Sequence, residues 1–129
     1  MARILIVEDN PDNMKLFRAI LTMKGHEVTA LPSGEGLLDA MAASRPDLVL
    51  MDIQLPGRDG FELLSEIRAS PHRAVRVVAL TAHAMSGDRE KARDSGFDEY
   101  ITKPIDIMTF PDLVARALAK PPGDRPENR

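Results

Sequence analysis

Three short segments of this sequence are apolar at nearly every position, namely residues 3–7, 47–51 and 76–80. A strand with one solvent-exposed face alternates apolar and polar residues, and these segments do not alternate. Strands of this composition are covered on both faces, as in a parallel sheet between two layers of helices. Two weaker strands are predicted at residues 27–31 and 99–102.

Segments with helical spacing separate these strands. In the first, Met14, Phe17 and Leu21 share one face, Asn10 is placed to cap the helix, and Pro11 fits its first turn. We expect this helix to end near Gly25 and four others to follow it, at residues 34–43, 60–69, 84–95 and 109–120.

The start of the last helix and the composition of the fourth helix stand out. Thr109 is placed as an N-cap, with Pro111 in the first turn and Asp112 completing a start that resembles a capping box. The fourth helix has few apolar anchors, chiefly Met85 and Ala92, so we expect it to be among the less stable elements. A helix of low stability is either a solvated edge element or one that a small bias from a nearby site can move.

Five strand–helix units in this length predict an α/β fold with a doubly wound, five-stranded parallel sheet and five helices. We expect the flavodoxin-like strand order 2-1-3-4-5, in one domain at residues 1–120. Residues 121–129 are rich in proline and charge, which predicts a disordered tail.

Composition excludes several classes of function. The chain has 129 residues, 17 Lys and Arg against 20 Asp and Glu, a formal charge of −3 and no cysteine. A nucleic-acid partner is therefore not expected, nor is a disulfide or a thiolate metal site. The apolar run at the N-terminus is too short to span a membrane, so we expect a soluble, cytoplasmic protein with no membrane partner.

Polar residues that can carry chemistry follow four of the predicted strands. Glu8 and Asp9 follow the first strand, Asp52 the third, Thr81 the fourth and Lys103 the fifth. In a doubly wound sheet, ligands bind at the carboxyl ends of the strands, where the strand order reverses. We therefore expect these five side chains to meet at one edge of the sheet.

Three carboxylates so close together repel one another, so either some of them are protonated or a cation is present, and Lys103 alone supplies too little positive charge. Two unit charges about 4 Å apart repel by roughly 4 kcal/mol at an effective dielectric constant near 20. Oxygen ligands without Cys or His favour Mg²⁺, with Mn²⁺ as an alternative, and such sites are typical of phosphoryl transfer.

The residue types suggest a role for each member of the site. Asp52 is the predicted nucleophile and would form an aspartyl phosphate. Lys103 and the Thr81 hydroxyl would contact phosphoryl oxygens. Glu8 and Asp9 are predicted to hold the metal, Asp9 directly and Glu8 through water.

Four segments in order resemble the receiver domain of bacterial two-component response regulators: ILIVEDN, DLVLMDIQLPGRDG, VVALTAHA and YITKP. The resemblance covers residues 3–120 and is closest to DivK-like single-domain members. It implies that Asp52 accepts a phosphoryl group from a histidine kinase or a histidine phosphotransfer protein. It also implies that Mg²⁺ is held by Glu8 or Asp9, by Asp52 and by the backbone carbonyl of Gln54.

The resemblance also implies how such a switch produces a signal. Thr81 and Tyr100 would shift inward, which would reshape the face formed by the fourth helix, the fifth strand and the fifth helix. A downstream protein would bind this face or the first helix. A cis bond between Lys103 and Pro104 is expected on the same basis.

Each predicted site residue also has a simpler interpretation. Asp52 alone could be a turn or helix cap, Lys103 a surface lysine, Thr81 a β-branched strand residue and Tyr100 a half-buried aromatic. Asn10, beside the acids, is read as a helix cap. Gln54 and His83 each lie two residues after a site residue, and we hypothesise that they tune the lifetime of the phosphoryl group.

The sequence fits four other functions less well than a signalling switch. A haloacid-dehalogenase-like phosphatase needs a second Asp where Gln54 stands, and a flavodoxin-like flavin carrier needs a phosphate loop where EDNPDN stands. A P-loop nucleotide binder needs a glycine-rich loop after the first strand, which is absent. A receiver that works without phosphorylation usually lacks the acids, the acceptor or the lysine, and all of these are present here.

Overall fold

The structure is a computed structural model that describes residues 2–55, 57–82 and 86–121, with the side chains of 86–89 left out. Strands and helices alternate along the chain in the following order: β1 (Arg3–Val7), α1 (Pro11–Met23), β2 (Glu27–Leu31), α2 (Leu37–Ser44), β3 (Leu48–Asp52), α3 (Gly60–Arg68), β4 (Arg76–Thr81), α4 (Ser86–Asp94), β5 (Glu99–Thr102) and α5 (Phe110–Ala119).

The strands form one parallel sheet in the order β2-β1-β3-β4-β5. Ile4 of β1 pairs with Leu48 of β3, and Asp52 at the end of β3 pairs with Leu80 of β4. The chain therefore moves outward from β1 to β2, returns to β3 and continues to the other edge. This reversal places helices on both faces, and it confirms the expected doubly wound fold and strand order.

Two separate hydrophobic layers explain why the central strands lack alternation. Leu5 and Val7 of β1 point into a layer that α2, α3 and α4 cover, whereas Ile4 and Ile6 point into a layer that α1 and α5 cover. Both layers exclude solvent, since these four side chains are at most 1% exposed. Each residue of such a strand must be apolar because both of its faces are buried.

Side-chain caps fix the starts of two helices that leave the functional edge of the sheet. Oδ1 of Asn10 accepts a hydrogen bond from the N–H of Asn13 at 3.0 Å, as a cap of α1 should. Asp59 caps α3 in the same way, accepting from the N–H of Glu62 at 2.8 Å. The predicted cap at Asn10 is confirmed.

The boundaries of several elements differ from the prediction. β3 begins and ends one residue later than predicted, and β4 extends one residue further, so Asp52 and Thr81 are the last residues of their strands. α2 begins at Leu37 and not at Gly34, because Gly36 has a φ of +75°, which is left-handed and not part of an α-helix. α4 begins at Ser86, while Met85 lies outside the described residues.

The predicted capping box of α5 does not form. Thr109 precedes the helix, but its own backbone is helical and its side chain caps no N–H group. A tight turn takes over this role: Asp106 accepts the N–H of Met108 through its carboxylate, and its carbonyl accepts the N–H of Phe110 at 2.9 Å. The turn therefore makes the capping role predicted for Asp112 unnecessary.

Most of the predicted tail, residues 122–129, lies outside the described part of the chain. Among the helices that are described, none combines the length and the apolar character needed to cross a membrane.

Candidate functional site

Adjacent strands bring the acidic residues together at one edge of the sheet. Glu8 and Asp9 directly follow β1, and Asp52 ends the neighbouring strand β3. Because parallel strands point their carboxyl ends to the same edge, Glu8 and Asp52, which are 44 positions apart in the chain, become neighbours in the fold. The predicted convergence of these acids is therefore a property of the strand order.

Lys103 joins the two groups of acids. Its Nζ lies 2.8 Å from Oε1 of Glu8 and 2.8 Å from Oδ2 of Asp52. Lys103 reaches this position from the loop after β5, and its N–H donates to the carbonyl of Thr81 at 2.6 Å. One ammonium group thus contacts carboxylates from two different strands.

The Glu8 carboxylate has a neighbour at each oxygen, an ion-pair contact without hydrogen-bond geometry at Oε1 and a hydrogen bond at Oε2. Oε1 faces Lys103, and Oε2 accepts the N–H of Asn10 at 3.1 Å. The residue is 1% exposed. Burial raises the pKa of Glu8 above its ordinary value, and the charge of Asp52 adds to this rise, while Lys103 and the Asn10 N–H oppose it.

Lys103 has the opposite balance of effects. Burial lowers its pKa, but the hydrogen bonds and charges of Asp52 and Glu8 outweigh burial, so the net pKa lies above the ordinary value of lysine. Lys103 is therefore a fixed positive charge across the physiological pH range.

Asp52 is 4% exposed, yet both of its oxygens accept hydrogen bonds. Oδ1 accepts the N–H of Gln54 at 2.9 Å, and Oδ2 accepts from Lys103. The side chain of Gln54 itself is exposed. A buried carboxylate with two donors is oriented in one direction, as a nucleophile must be.

The three acids form a set that fits one divalent ion. One oxygen each from Glu8, Asp9 and Asp52 lies within 4.8 Å of the others. Oxygens that share one octahedral Mg²⁺ lie about 3–4 Å apart, given bonds of about 2.0–2.1 Å, so small side-chain adjustments suffice. With all three acids ionised, Lys103 leaves two negative charges unbalanced, which a divalent cation would neutralise. Asp9 is exposed, which leaves room for water ligands.

Thr81 ends β4, the strand beside that of Asp52, and Tyr100 lies on β5, where it pairs with Ala79. Thr81 is 2% exposed at the end of its strand, and Tyr100 is half-buried against the layer covered by α3 and α4. The Lys103–Pro104 peptide bond beside them is cis. His83 lies outside the described residues, so its predicted role stays a hypothesis.

Gly60 also belongs to this site, although the sequence predicted no role for it. A Cβ built on Gly60 would lie 2.7 Å from Cα of Ile53 and 2.9 Å from the carbonyl oxygen of Asp52. Its N–H also donates to the carbonyl of Ile53 at 2.8 Å. The start of α3 therefore packs directly on the backbone that carries Asp52. A glycine at the first position of a helix, where it lowers helix propensity, is the sequence signal for such a contact.

The sequence matches the response regulator receiver domain family over residues 4–115. It is 42% identical over 116 residues to the polar-differentiation response regulator DivK of Brucella anthropi, covering 89% of this chain and 94% of that protein.

Two solved structures have the same fold. The receiver domain of the sensor histidine kinase PA1611 of Pseudomonas aeruginosa is 36% identical with a TM-score of 0.82, over 92% of this chain and 98% of that one. That structure has a magnesium ion coordinated in its active-site cleft. The BeF3-activated N-terminal receiver domain of RstA from Klebsiella pneumoniae is 29% identical with a TM-score of 0.83, over 92% and 99% of the two chains.

Proposed function

The chain belongs to the response regulator receiver domain family, and from this premise we propose that Asp52 is its phosphoacceptor. The phosphoryl group would come from a phosphohistidine on a histidine kinase or a histidine phosphotransfer protein. The observation that carries the proposal is the ion pair of Lys103 with both Glu8 and Asp52, because it orients the Asp52 carboxylate within a buried acidic cluster.

The transfer forms one bond and breaks one. A carboxylate oxygen of Asp52 attacks phosphorus while the bond from phosphorus to the donor nitrogen breaks, and the released imidazole takes up a proton. Asp52 is suited to this step because Gln54 N–H and Lys103 hold it in one orientation. The chain then catalyses only its own phosphorylation and dephosphorylation.

Glu8, Asp9 and Asp52 are the residues that would hold Mg²⁺, or Mn²⁺ in its place. The backbone carbonyl of Gln54 is a further proposed ligand. When bound, the ion neutralises charge on the incoming phosphoryl group and on the acids. Asp9 is proposed as the direct ligand of the pair after β1, since Glu8 is already committed to Lys103 and the Asn10 N–H.

Lys103 and Thr81 would act on the phosphoryl oxygens. The Lys103 ammonium contacts Oδ2 of Asp52, so it lies where a phosphoryl group on this carboxylate would carry its negative charge. Thr81 ends the strand beside Asp52 and would donate its hydroxyl. Gln54 and His83 are proposed to set the lifetime of the phosphoryl group.

The proposed output is a change in protein–protein contacts. Movement of Thr81 and Tyr100 toward the site would alter the surface formed by α4, β5 and α5. That surface has a groove of about 230 Å³ beside Tyr100, lined also by Arg93, Phe97 and Lys120. A second candidate surface is α1, where Met14, Lys15 and Arg18 line a groove of about 460 Å³ that extends to Asp9.

The domain boundary at residue 120, the disordered tail and the cytoplasmic location remain proposals. They rest on the composition of the tail and on the family resemblance.

The experiment that tests the function is phosphorylation with acetyl phosphate, followed by intact mass spectrometry. Wild type should gain one hydroxylamine-labile phosphoryl group with Mg²⁺ and none with EDTA. Asp52→Asn should gain none, whereas the control Asp12→Asn, which alters an exposed acid on α1, should behave like wild type. A stable or metal-independent adduct, or labelling of Asp52→Asn, would overturn the proposal.

A further inference from the structure

A second groove lies at the opposite end of the sheet from Asp52. It occupies about 560 Å³ where β1, β3 and β4 begin, and its lining includes Arg3, Arg45, Asp47, His72 and Arg76. We call it the amino-edge groove. None of its lining residues belongs to the acidic site. Its volume lies within the range of about 300–1,000 Å³ that small-molecule sites occupy.

The amino-edge groove is positively charged although the whole chain carries a charge of −3. Three arginines line it against one carboxylate, that of Asp47. Asp47 is already engaged by Arg3, whose N–H donates to Oδ2 at 2.9 Å and whose guanidinium lies 3.9 Å from Oδ1. The charges of Arg45 and Arg76 therefore have no balancing acid in the groove.

Arg76 is fixed in place without an ionic partner. Its Nη1 donates to the carbonyl of Leu118 at the end of α5. Its Nε is buried and has no acceptor among the residues that the structure describes. A guanidinium held by a backbone carbonyl is pre-organised for an anion, because binding the anion costs it little further conformational entropy.

Arg45 stands at the rim in an unfavourable backbone conformation. Its φ of 48° and ψ of 63° are left-handed, and Arg45 is the single non-glycine residue with positive φ in the described ranges. Arg45 adopts it as the C-cap of α2, where its N–H donates to the carbonyl of Met41 at 2.8 Å. This helix end places an exposed arginine, with no ion pair among the described residues, beside the groove.

The remaining lining is apolar and includes Met41, Pro46, Pro71 and Val75. Such walls can cover a planar ring but offer it few hydrogen bonds. A ligand that suits the groove therefore combines an anionic group with a flat apolar part.

We propose that the amino-edge groove binds a nucleoside phosphate. Arg45 and Arg76 contact the phosphate oxygens, with which guanidinium groups form paired hydrogen bonds. The base lies against Pro46, Pro71 and Val75. The proposal does not depend on phosphorylation of Asp52, because the two sites share no residue.

The test is titration of the ¹⁵N-labelled full chain with ATP, AMP, adenosine and inorganic tripolyphosphate, in EDTA so that no metal can bring phosphate to the acidic site. ATP should give saturable amide shifts at residues 45, 47–48 and 72–76. Adenosine should give none, and tripolyphosphate should bind more weakly than ATP.

Variants decide which residues carry the binding. Arg45→Gln and Arg76→Gln should each weaken ATP binding about tenfold, the equivalent of about 1.4 kcal/mol. The control Arg116→Gln removes an exposed charge on α5 and should leave binding unchanged. Arg45 lies at the rim, so its variant stays informative if Arg76→Gln unfolds the protein.

Four results would overturn the proposal. The first is the absence of saturable shifts with millimolar ATP, and the second is shifts confined to the loops that carry Asp9 and Asp52. The third is equal weakening by Arg116→Gln and the fourth is equal binding of tripolyphosphate and ATP, either of which would mean attraction by charge alone.

Discussion

At the scale of single residues, the site is defined by a shortage of positive charge. Lys103 contacts Glu8 and Asp52, while Asp9 adds a third carboxylate whose oxygen lies within 4.8 Å of theirs. One ammonium group cannot neutralise three carboxylates. The metal-free protein is therefore strained by repulsion that an ion would relieve.

Asp9→Asn should stabilise the metal-free protein and abolish most of its stabilisation by Mg²⁺. The gain should stay below about 1 kcal/mol because Asp9 is exposed and its charge is screened. Wild type should gain about 2.7 kcal/mol at a Mg²⁺ concentration of 100 times Kd. Urea denaturation with and without Mg²⁺ measures both effects.

The matched control for this prediction is Asp12→Asn, one helical turn along on the exposed side of α1. It should respond to Mg²⁺ as wild type does. If Asp9→Asn is destabilising without metal, or if it keeps the full response to Mg²⁺, repulsion among the acids is not the dominant effect.

Glu8→Gln should change how stability depends on pH. The pKa of Glu8 is raised in the fold, from an ordinary value of 4.5, so the fold favours its protonated form. Its contribution to stability is then complete below pH 4.5 and is lost as pH rises through the folded pKa. The metal-free wild type should therefore lose stability relative to Glu8→Gln as pH rises above 4.5.

Unfolding free energies from pH 4 to 7 (about the range in which carboxyl groups titrate), measured in EDTA, check this prediction. The control is Glu27→Gln, an exposed acid on β2. A difference between wild type and Glu8→Gln that does not change with pH would show that the fold does not favour protonated Glu8.

The sequence predicted the positions of the site residues because each ends or directly follows a strand, and strand ends are visible as breaks in apolar runs. It did not predict that Lys103 contacts Glu8 and Asp52 together. That contact depends on how far the loop after β5 reaches across the sheet. The buried environment of Glu8 also depends on the neighbouring strands, which no local pattern describes.

At the scale of elements, the junction of β3 and α3 determines where Asp52 points. α3 begins with Gly60 packed on the backbone of Asp52 and Ile53, and Asp59 caps the same helix. The position of the helix start thus fixes the end of the strand. Local patterns predicted the helix. They did not predict the contact between the two backbones, for which the glycine at position 60 is the only sign in the sequence.

Gly60→Ala should displace the backbone of Asp52 although it raises helix propensity. The new Cβ would lie less than 3.0 Å from backbone atoms that cannot rotate away. We expect a loss of about 1–3 kcal/mol, as for other overpacked sites, together with slower phosphorylation by acetyl phosphate.

The control for this prediction is Ser65→Ala, an exposed position on α3 that lies away from the site. Denaturation and the rate of mass gain are measured for both variants. Gly60→Ala with wild-type stability and rate would show that the junction has room to adjust.

At the scale of the whole molecule, a polar network ties the helices together at the end of the sheet opposite to Asp52. The guanidinium of Arg68 donates to the carbonyls of Arg73, Val75 and Gly96 and to the carboxylate of Asp98. Asp98 also accepts the N–H of Val77. The carboxyl ends of α3 and α4 are thereby fixed to the start of β4.

This network also restrains α4. Its carboxyl end is anchored by the hydrogen bond that Arg68 donates to the carbonyl of Gly96, just beyond the helix, and by Lys91, whose Nζ lies 4.7 Å from the centre of the Phe61 ring. Any movement of α4 that starts near Thr81 should therefore pivot about this anchored end. The low apolar content of α4 predicted weak packing. The anchor could not be predicted from this helix, because it depends on Arg68 of α3.

Arg68→Met should destabilise the whole domain by about 3 kcal/mol or more, since it leaves the Asp98 carboxylate buried beside an apolar side chain. The Asp98 side chain is 2% exposed in the ion pair. Thermal and urea denaturation measure the loss, and Arg116→Met is the control on an exposed face. Equal stability of the two variants would contradict a supporting role for the network.

The whole fold was predictable because three strands without alternation require two covering layers, and strand–helix alternation then leaves few topologies. The start of α2 and the turn before α5 were not predictable in the same way. They depend on the backbone conformation of Gly36 and on Asp106, which precedes the helix by a full turn.

The central claim is that acids from two strands bind one divalent ion beside Lys103. The most direct measurement is the anomalous diffraction of Mn²⁺ in crystals of wild type and of Asp52→Asn. Wild type should show a single strong peak about 2.2 Å from carboxylate oxygens of Asp9 and Asp52, and the variant a weakened or absent peak. A wild-type peak elsewhere, or an unchanged peak in Asp52→Asn, would contradict it.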